Sequence, residues 1–172
     1  VRKWIGNEVG GLYNCISIDG KLYTVGHTYA GGSYGHIYVF DANLNTLNEV
    51  SGRKSSEYYS LTYNGRALYV GGWIREDLNG DGIPEKVWLV EKRDLDTLEL
   101  VASREIYFGS WREGWISDIG VEPSTGRIWA VGYYDDHSLI VILDRDLEIL
   151  KVIDYPKGSE GYLGQLYGVA FD

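Results

Sequence analysis

The stretch DLNGDGIPE, from Asp77 to Glu85, sets oxygen-bearing side chains at alternate positions on a chain that must turn. Asp77, Asn79 and Asp81 come first, Gly82 supplies the turn, the Ile83 carbonyl follows, and Glu85 closes the run. Oxygens at that spacing suit a hard cation, because calcium gathers about six to eight oxygen ligands. The five named positions offer about five or six, leaving water to complete the shell. Calcium is therefore the expected cofactor. Its expected role is structural, pinning a long insertion, because no neighbouring residues suggest a metal-activated reaction. The plainer alternative is a polar Asn/Asp/Gly turn that holds no metal.

Reaction chemistry finds less support. His27 and His36 bracket a Gly-rich stretch, and His137 follows Asp135 and Asp136 far along the chain, a spacing that fixes no transition-metal site. Asp118 is the ionisable residue at an otherwise small position, expected to face a central channel, where a carboxylate bonded to backbone amides is a simpler reading than a general base. No nucleophile-elbow pattern surrounds any serine, and GGSYG lacks the lysine of a phosphate-cradling loop. The Ser-x-Asp-x-Gly-x-x-Trp box of sialidase-type repeats is absent too. Catalysis is thus not expected, although a hydrolase or lyase with a site at the channel mouth stays open.

Binding is better represented. The segments HTYAGGSYGH, WIREDLNGDGIPEK, YYDDHS, YFGSWREGW and YPKGSEGYLGQ gather Tyr29, Tyr34, Trp73, Trp111, Tyr133 and Tyr134 beside Arg75, Arg112, Asp135 and Asp136. Loops on a rigid scaffold often carry binding, and Tyr, Trp and Arg anchor interfaces. The expected partner is a protein, with a glycan also possible. The alternative is that these aromatics fold the loops onto themselves.

The elements that would position these residues repeat. NCISIDGKLYTVG (from Asn14), YSLTYNGRALYVGG (from Tyr59) and SDIGVEPSTGRIWAVG (from Ser117) each read as strand, turn and strand ending in Gly. Asp19-Gly20 and Asn64-Gly65 are preferred pairs for two-residue hairpin turns. A second pattern follows in HIYVFDANLNTL, VWLVEKRDLDTL and LIVILDRDLEIL, which aligns Leu44, Leu95 and Leu147 at one position and Leu47, Leu98 and Leu150 at another. The period is about fifty residues, so each repeat is a four-stranded meander. The expected limits are an outer strand within 1–10 (Arg2 to Ile5), complete units at 11–54, 55–108 and 109–157, and an inner strand within 158–172 (Leu166 to Phe171). Cys15, Ser60, Asp118 and Gly168 share a small inner position in that alignment, and Cys15 is expected as a buried filler.

This pattern resembles the β-propellers built of WD-repeat-like or YVTN-like blades, and the resemblance covers nearly the whole chain as a repeat pattern rather than a diagnostic motif. It implies an all-β propeller of about three blades with an orphan strand at each end. The Asp77–Glu85 run is similar to the calcium loop of FG-GAP repeats, with Glu85 where Asp is usual. The helical EF-hand version needs Glu at the position that Trp88 fills. Propellers close with about four to eight blades, so three leave open edges that β proteins avoid. The expectation is a fragment of a longer protein, or a subunit completed by blades from another chain; a purely structural assembly unit is the third reading.

Composition agrees with the fold class and narrows the partners. The chain has 15 Tyr, 6 Trp and 23 Gly against 3 Pro, a profile of strands and turns. A net charge of −9 argues against nucleic acid and anionic membrane surfaces. No apolar run is long enough to span a bilayer. Met is absent and Gln165 is the sole Gln, a thermophile-like trait. A start at Val1 fits a processed or trimmed form, and the calcium-type loop leans toward an extracellular or cell-surface setting.

Overall fold

The computed structural model describes residues 10–29, 32–78, 80–109, 113–135, 137–156 and 166–172. They form twelve strands and no helix. β1 (Gly10–Ile18), β2 (Lys21–Thr28), β3 (Tyr34–Phe40) and β4 (Thr46–Lys54) make the first antiparallel sheet, in chain order. β5 (Ser56–Tyr63), β6 (Ala67–Glu76), β7 (Glu85–Asp94) and β8 (Leu100–Ile106) make the second, and β9 (Gly114–Val121), β10 (Ile128–Tyr134), β11 (His137–Leu143) and β12 (Ile149–Pro156) the third. Each is a meander, as the repeat predicts. The sheets stack in sequence, β5 packing on β1, β2 and β3, and β9 on β5, β6 and β7.

The middle sheet shows why its strands read as unbroken apolar runs. Successive side chains on a strand point to opposite faces. Leu68 and Val70 of β6, with Val87 and Leu89 of β7, enter the core shared with the first sheet. Ala67, Tyr69, Trp88 and Val90 enter the core shared with the third. Both faces are covered, so both parities must be apolar. One buried polar group braces the second sheet internally, and another crosses to the third. Tyr58 donates to Glu91 Oε2 at 2.7 Å, and Arg93 holds that carboxylate from Nε at 2.8 Å, all three being buried. Trp88 Nε1 donates to the Tyr133 carbonyl at 2.9 Å.

The first hairpin of each sheet carries a β-bulge. The pairing slips between Leu12 and Asn14, between Tyr58 and Ser60, and between Ile116 and Asp118. Opposite each slip stands a glycine: Gly26, Gly72 or Gly132. A Cβ there would lie 1.8, 1.9 or 2.2 Å from the carbonyl oxygen of Gly11, Glu57 or Trp115, closer than any side chain tolerates. The repeated terminal Gly of the sequence pattern is thus the partner of the bulge.

The bulges shift the alignment by one residue. Asn14, Ser60 and Asp118 are equivalent, each the first paired residue after the slip. They join hand to hand: Asn14 Nδ2 donates to Ser60 Oγ at 3.1 Å, and Ser60 Oγ to Asp118 Oδ1 at 2.5 Å. Val169 N then donates to Asp118 Oδ2 at 2.9 Å. Cys15 is therefore not the inner filler; pleat alternation turns it from the face that Asn14 presents, and it is exposed.

Other expectations change for local reasons. Asp19-Gly20 is a two-residue turn with positive φ at both positions (49° and 75°). Asn64-Gly65 is not, because Asn64 Oδ1 accepts from the amides of Arg66 and Ala67 and widens the loop to 64–67. The equivalent turn leucines are Leu44, Leu98 and Leu147, all left-handed (φ 62°, 63° and 68°); Leu98 replaces the expected Leu95 because β7 runs on to Asp94 and its turn is longer. Asp41, Asp94 and Asp144 fasten these turns by accepting backbone amides. Residues 166–172, expected as an inner strand, are not in strand conformation. They still cover β9 and β10, where Phe171 meets Trp129 edge-on at 5.8 Å. The expected outer strand from Arg2 to Ile5 lies outside the described residues.

Candidate functional site

The bulges also aim side chains. Tyr13 and Tyr59 are the extra residues of the first two, so their rings leave the pleat and meet at 4.6 Å across the first two sheets. Tyr13 stacks on His27 at 5.2 Å, and His27 meets Tyr29 edge-on at 4.5 Å. In the other direction, Trp73 Nε1 donates to the Tyr59 hydroxyl at 3.3 Å. Lys86 places its ammonium 4.3 Å from the Trp73 ring and 5.0 Å from that of Trp115, which lies 5.3 Å from Tyr133. One aromatic band therefore crosses all three sheets on the side where β2 ends and β5 and β9 begin.

A carboxylate anchors it. Glu57 is buried, and its oxygens accept from Tyr59 at 2.8 Å, Ser33 at 3.0 Å and Tyr29 at 3.4 Å. Burial raises the pKa of Tyr13 and Tyr59, and the nearby Glu57 charge raises that of Tyr29. These phenols stay protonated at neutral pH and act as donors. Desolvation pulls the Lys86 ammonium below its ordinary range, with Glu113 and Glu57 opposing. Arg75 binds Glu113 at 3.1 Å at the edge of the band. Tyr13 is 48% exposed and Tyr29 52%, so both reach solvent, while Trp73 in the middle of the band is buried.

The strands run further into the expected loops than the sequence suggests, leaving connections at 29–33, 77–84 and 135–136. Tyr34, Trp73, Arg75, Tyr133 and Tyr134 are thus strand residues. Tyr29, Trp73, Arg75 and Tyr133 join the band. Tyr134 does not; it is buried against Phe108 in the core of the second and third sheets. Tyr34 heads β3, half-buried, with no ring contact to the band among the described residues. Trp111 and Arg112 lie outside the described residues. Tyr13, Glu57, Tyr59, Lys86 and Trp115 escaped the sequence reading, although the glycines opposite the bulges were a usable signal for the two tyrosines.

The remaining candidates are dispersed or occupied. His27 is in the band, His36 Nε2 lies 3.1 Å from Ser51 Oγ across β3 and β4, and His137 Nδ1 lies 2.6 Å from Asp154 on β12. The structure does not bring the histidines together. Asp118 is half-buried and bonded to Ser60 and to the amides of Ile119 and Val169, a joint between elements rather than an idle base. Asp77, Asp81 and Glu85 do converge on the band's side of the molecule, at the tip of the β6–β7 hairpin. Asn79 lies outside the described residues, and the Ile83 side chain is half-exposed.

The described chain is an all-β protein of three stacked four-stranded antiparallel sheets, an arrangement compatible with a blade-repeat fold. No family model matches the chain, and no curated protein matches it either. No helix among the described residues is long and apolar enough to cross a membrane.

Proposed function

We propose that the three sheets are successive blades of a β-propeller and that the chain is a binding and scaffold module whose recognition surface is the aromatic band, with a protein segment as partner. One observation carries this reading: the two bulged tyrosines, Tyr13 and Tyr59, begin a band that continues through Trp73, Lys86 and Trp115 across three sheets. A bulge costs ladder hydrogen bonds, and repeated bulges beside a site commonly re-aim side chains. Half-exposed tyrosines backed by a buried carboxylate combine apolar area with fixed hydrogen-bonding groups, the make-up of interface anchors. Asp118 and Val169 favour the blade reading, because residues 166–172 lie where the next inner strand of a ring would pack. Further blades, from the rest of a longer protein or from another chain, would complete that strand's sheet.

The experiment is selection of ligands from a peptide-display library against the folded chain, with a glycan array run in parallel. Peptide binders should weaken at least about tenfold against Tyr13→Ala and Tyr29→Ala, since truncating an anchor costs about 2 kcal/mol or more. Binders indifferent to both changes would overturn the assignment. A glycan that binds and responds to the same changes would keep the surface and replace the partner class.

A further inference from the structure

The β6–β7 connection collects oxygen ligands. Asp77, Asp81 and Glu85 each bring a carboxylate oxygen within 4.8 Å of the others. Their arrangement is fixed by the backbone: Asp77 Oδ1 accepts the amides of Gly80 at 2.7 Å and Asp81 at 3.1 Å, and Oδ2 accepts that of Gly82 at 2.9 Å. Asp81 Oδ1 accepts the Ile83 amide at 2.8 Å. Gly80 and Gly82, at φ 80° and 86°, take the left-handed conformations this winding requires. Two amides fill the lone pairs of Asp77 Oδ1, whereas Oδ2 accepts one amide and keeps a lone-pair direction for a metal.

Glu85 makes the cluster more than an acidic loop. It is only 3% exposed, and while its Oε2 accepts the Leu78 amide at 3.2 Å, its Oε1 is buried with no hydrogen-bond partner among the described residues. Leaving a buried carboxylate oxygen unmet is costly. Among the described residues no Lys, Arg or His forms an ion pair with Glu85. Its cross-strand neighbour is another acid, Glu76, and Arg53 binds Glu76 at 2.7 Å. Glu85 therefore faces like charge and lacks the counter-ion that its neighbour has.

We infer that Asp77, Asp81 and Glu85 bind one calcium-sized divalent cation, with Glu85 Oε1 aimed at it. Two ligands on one ion are separated by at most twice the metal–oxygen distance, about 4.6–5.2 Å for calcium and about 4.0–4.2 Å for magnesium. Oxygens that all lie within 4.8 Å of one another are within reach of one calcium ion. The ion neutralises the Glu76–Glu85 end of the hairpin, and the next cross-strand pair inward is Arg75 with Lys86, which belongs to the aromatic band. The loop is thereby tied to the rim it adjoins.

The test is calorimetric titration of the chelator-stripped chain with calcium chloride and then magnesium chloride, with thermal unfolding followed on the same samples. Saturable binding of one calcium per chain and a raised Tm are expected, with magnesium at least about tenfold weaker, reflecting its stricter geometry. Glu85→Gln and the exposed Asp81→Asn should each lose about tenfold or more in calcium affinity, while Glu99→Gln, away from the loop, should not. In chelator, Glu85→Gln should be at least as stable as the parent, because it removes an unpaired buried charge; a merely structural Glu85 would give the opposite sign. No saturable heat up to about 10 mM calcium, above the range of weak extracellular sites, would overturn the site. So would a Glu85→Gln variant, folded by circular dichroism, that binds as the parent does. Equal affinity for magnesium would overturn the calcium-sized assignment.

Discussion

Replacing Gly72 by Ala tests the link between the bulge and the glycine opposite it. The new Cβ would stand 1.9 Å from the Glu57 carbonyl oxygen and 3.0 Å from Tyr58 Cα, both backbone atoms of the partner strand. A carbon–oxygen contact settles near about 3.3 Å, so β5 and β6 must separate locally by about 1.4 Å. Overpacking of that kind costs about 1–3 kcal/mol. Loss of one or two ladder hydrogen bonds adds about 1 kcal/mol each. The expected destabilisation is about 2–5 kcal/mol, a large part of a typical stability of about 5–15 kcal/mol. Gly65→Ala is the matched control. Its φ is +86° with nothing within 4 Å, so only the left-handed backbone is penalised, at about 1–2 kcal/mol. Urea unfolding followed by tryptophan fluorescence gives both values if the slope is unchanged. The reasoning fails if Gly72→Ala costs no more than Gly65→Ala.

Two further outcomes follow from the interior. Burial, then the adjacent Glu91 charge, raises the Tyr58 pKa far above its ordinary value near 10, against the opposing pull of Arg93. Below about pH 10 both states hold the proton; above it the unfolded chain ionises first, so stability should fall by about 1.4 kcal/mol per pH unit from this residue. Tyr58→Phe should flatten the alkaline slope by one proton, and an unaltered slope would rule out the assignment. Asp118→Ala should cost about 1–3 kcal/mol by stranding its donors. It should also speed hydrogen exchange at the Val169 amide, and unchanged exchange there would show that Asp118 does not hold residues 166–172.

The meander was legible because its signals are local. Alternation, the Asp19-Gly20 turn and the recurring terminal glycines all lie within one repeat of about fifty residues. The alignment erred where one inserted residue is silent in sequence. A bulge adds a residue without altering the apolar pattern, so Cys15 was matched where Asn14 belongs. In the second unit a strand that runs on to Asp94 and a longer turn together put Leu98, three residues past Leu95, at the position of Leu44 and Leu147. At the rim, Trp73, Arg75 and Tyr133 of the aromatic-rich segments are members of the band. Tyr134 was misplaced because pleat alternation sends adjacent tyrosines to opposite faces, Tyr133 to the rim and Tyr134 to the core. Glu57 and Lys86 were invisible to composition; their roles arise from sheets stacking at long sequence separation. The Asp77, Asp81 and Glu85 cluster needed only local spacing, whereas the solitary Glu85 Oε1 required the folded hairpin.

The most direct test of the recognition surface is a chemical-shift titration of the isotope-labelled chain with a selected peptide. Binding through the band predicts movement of the Trp73 and Trp115 indole signals and of the Tyr13, His27 and Tyr59 amides. The groove of about 540 Å³ on the opposite face, bordered by Asn64–Arg66 and Glu122–Pro123, should stay still. Shifts confined to that groove, with the indoles unmoved, would contradict the account.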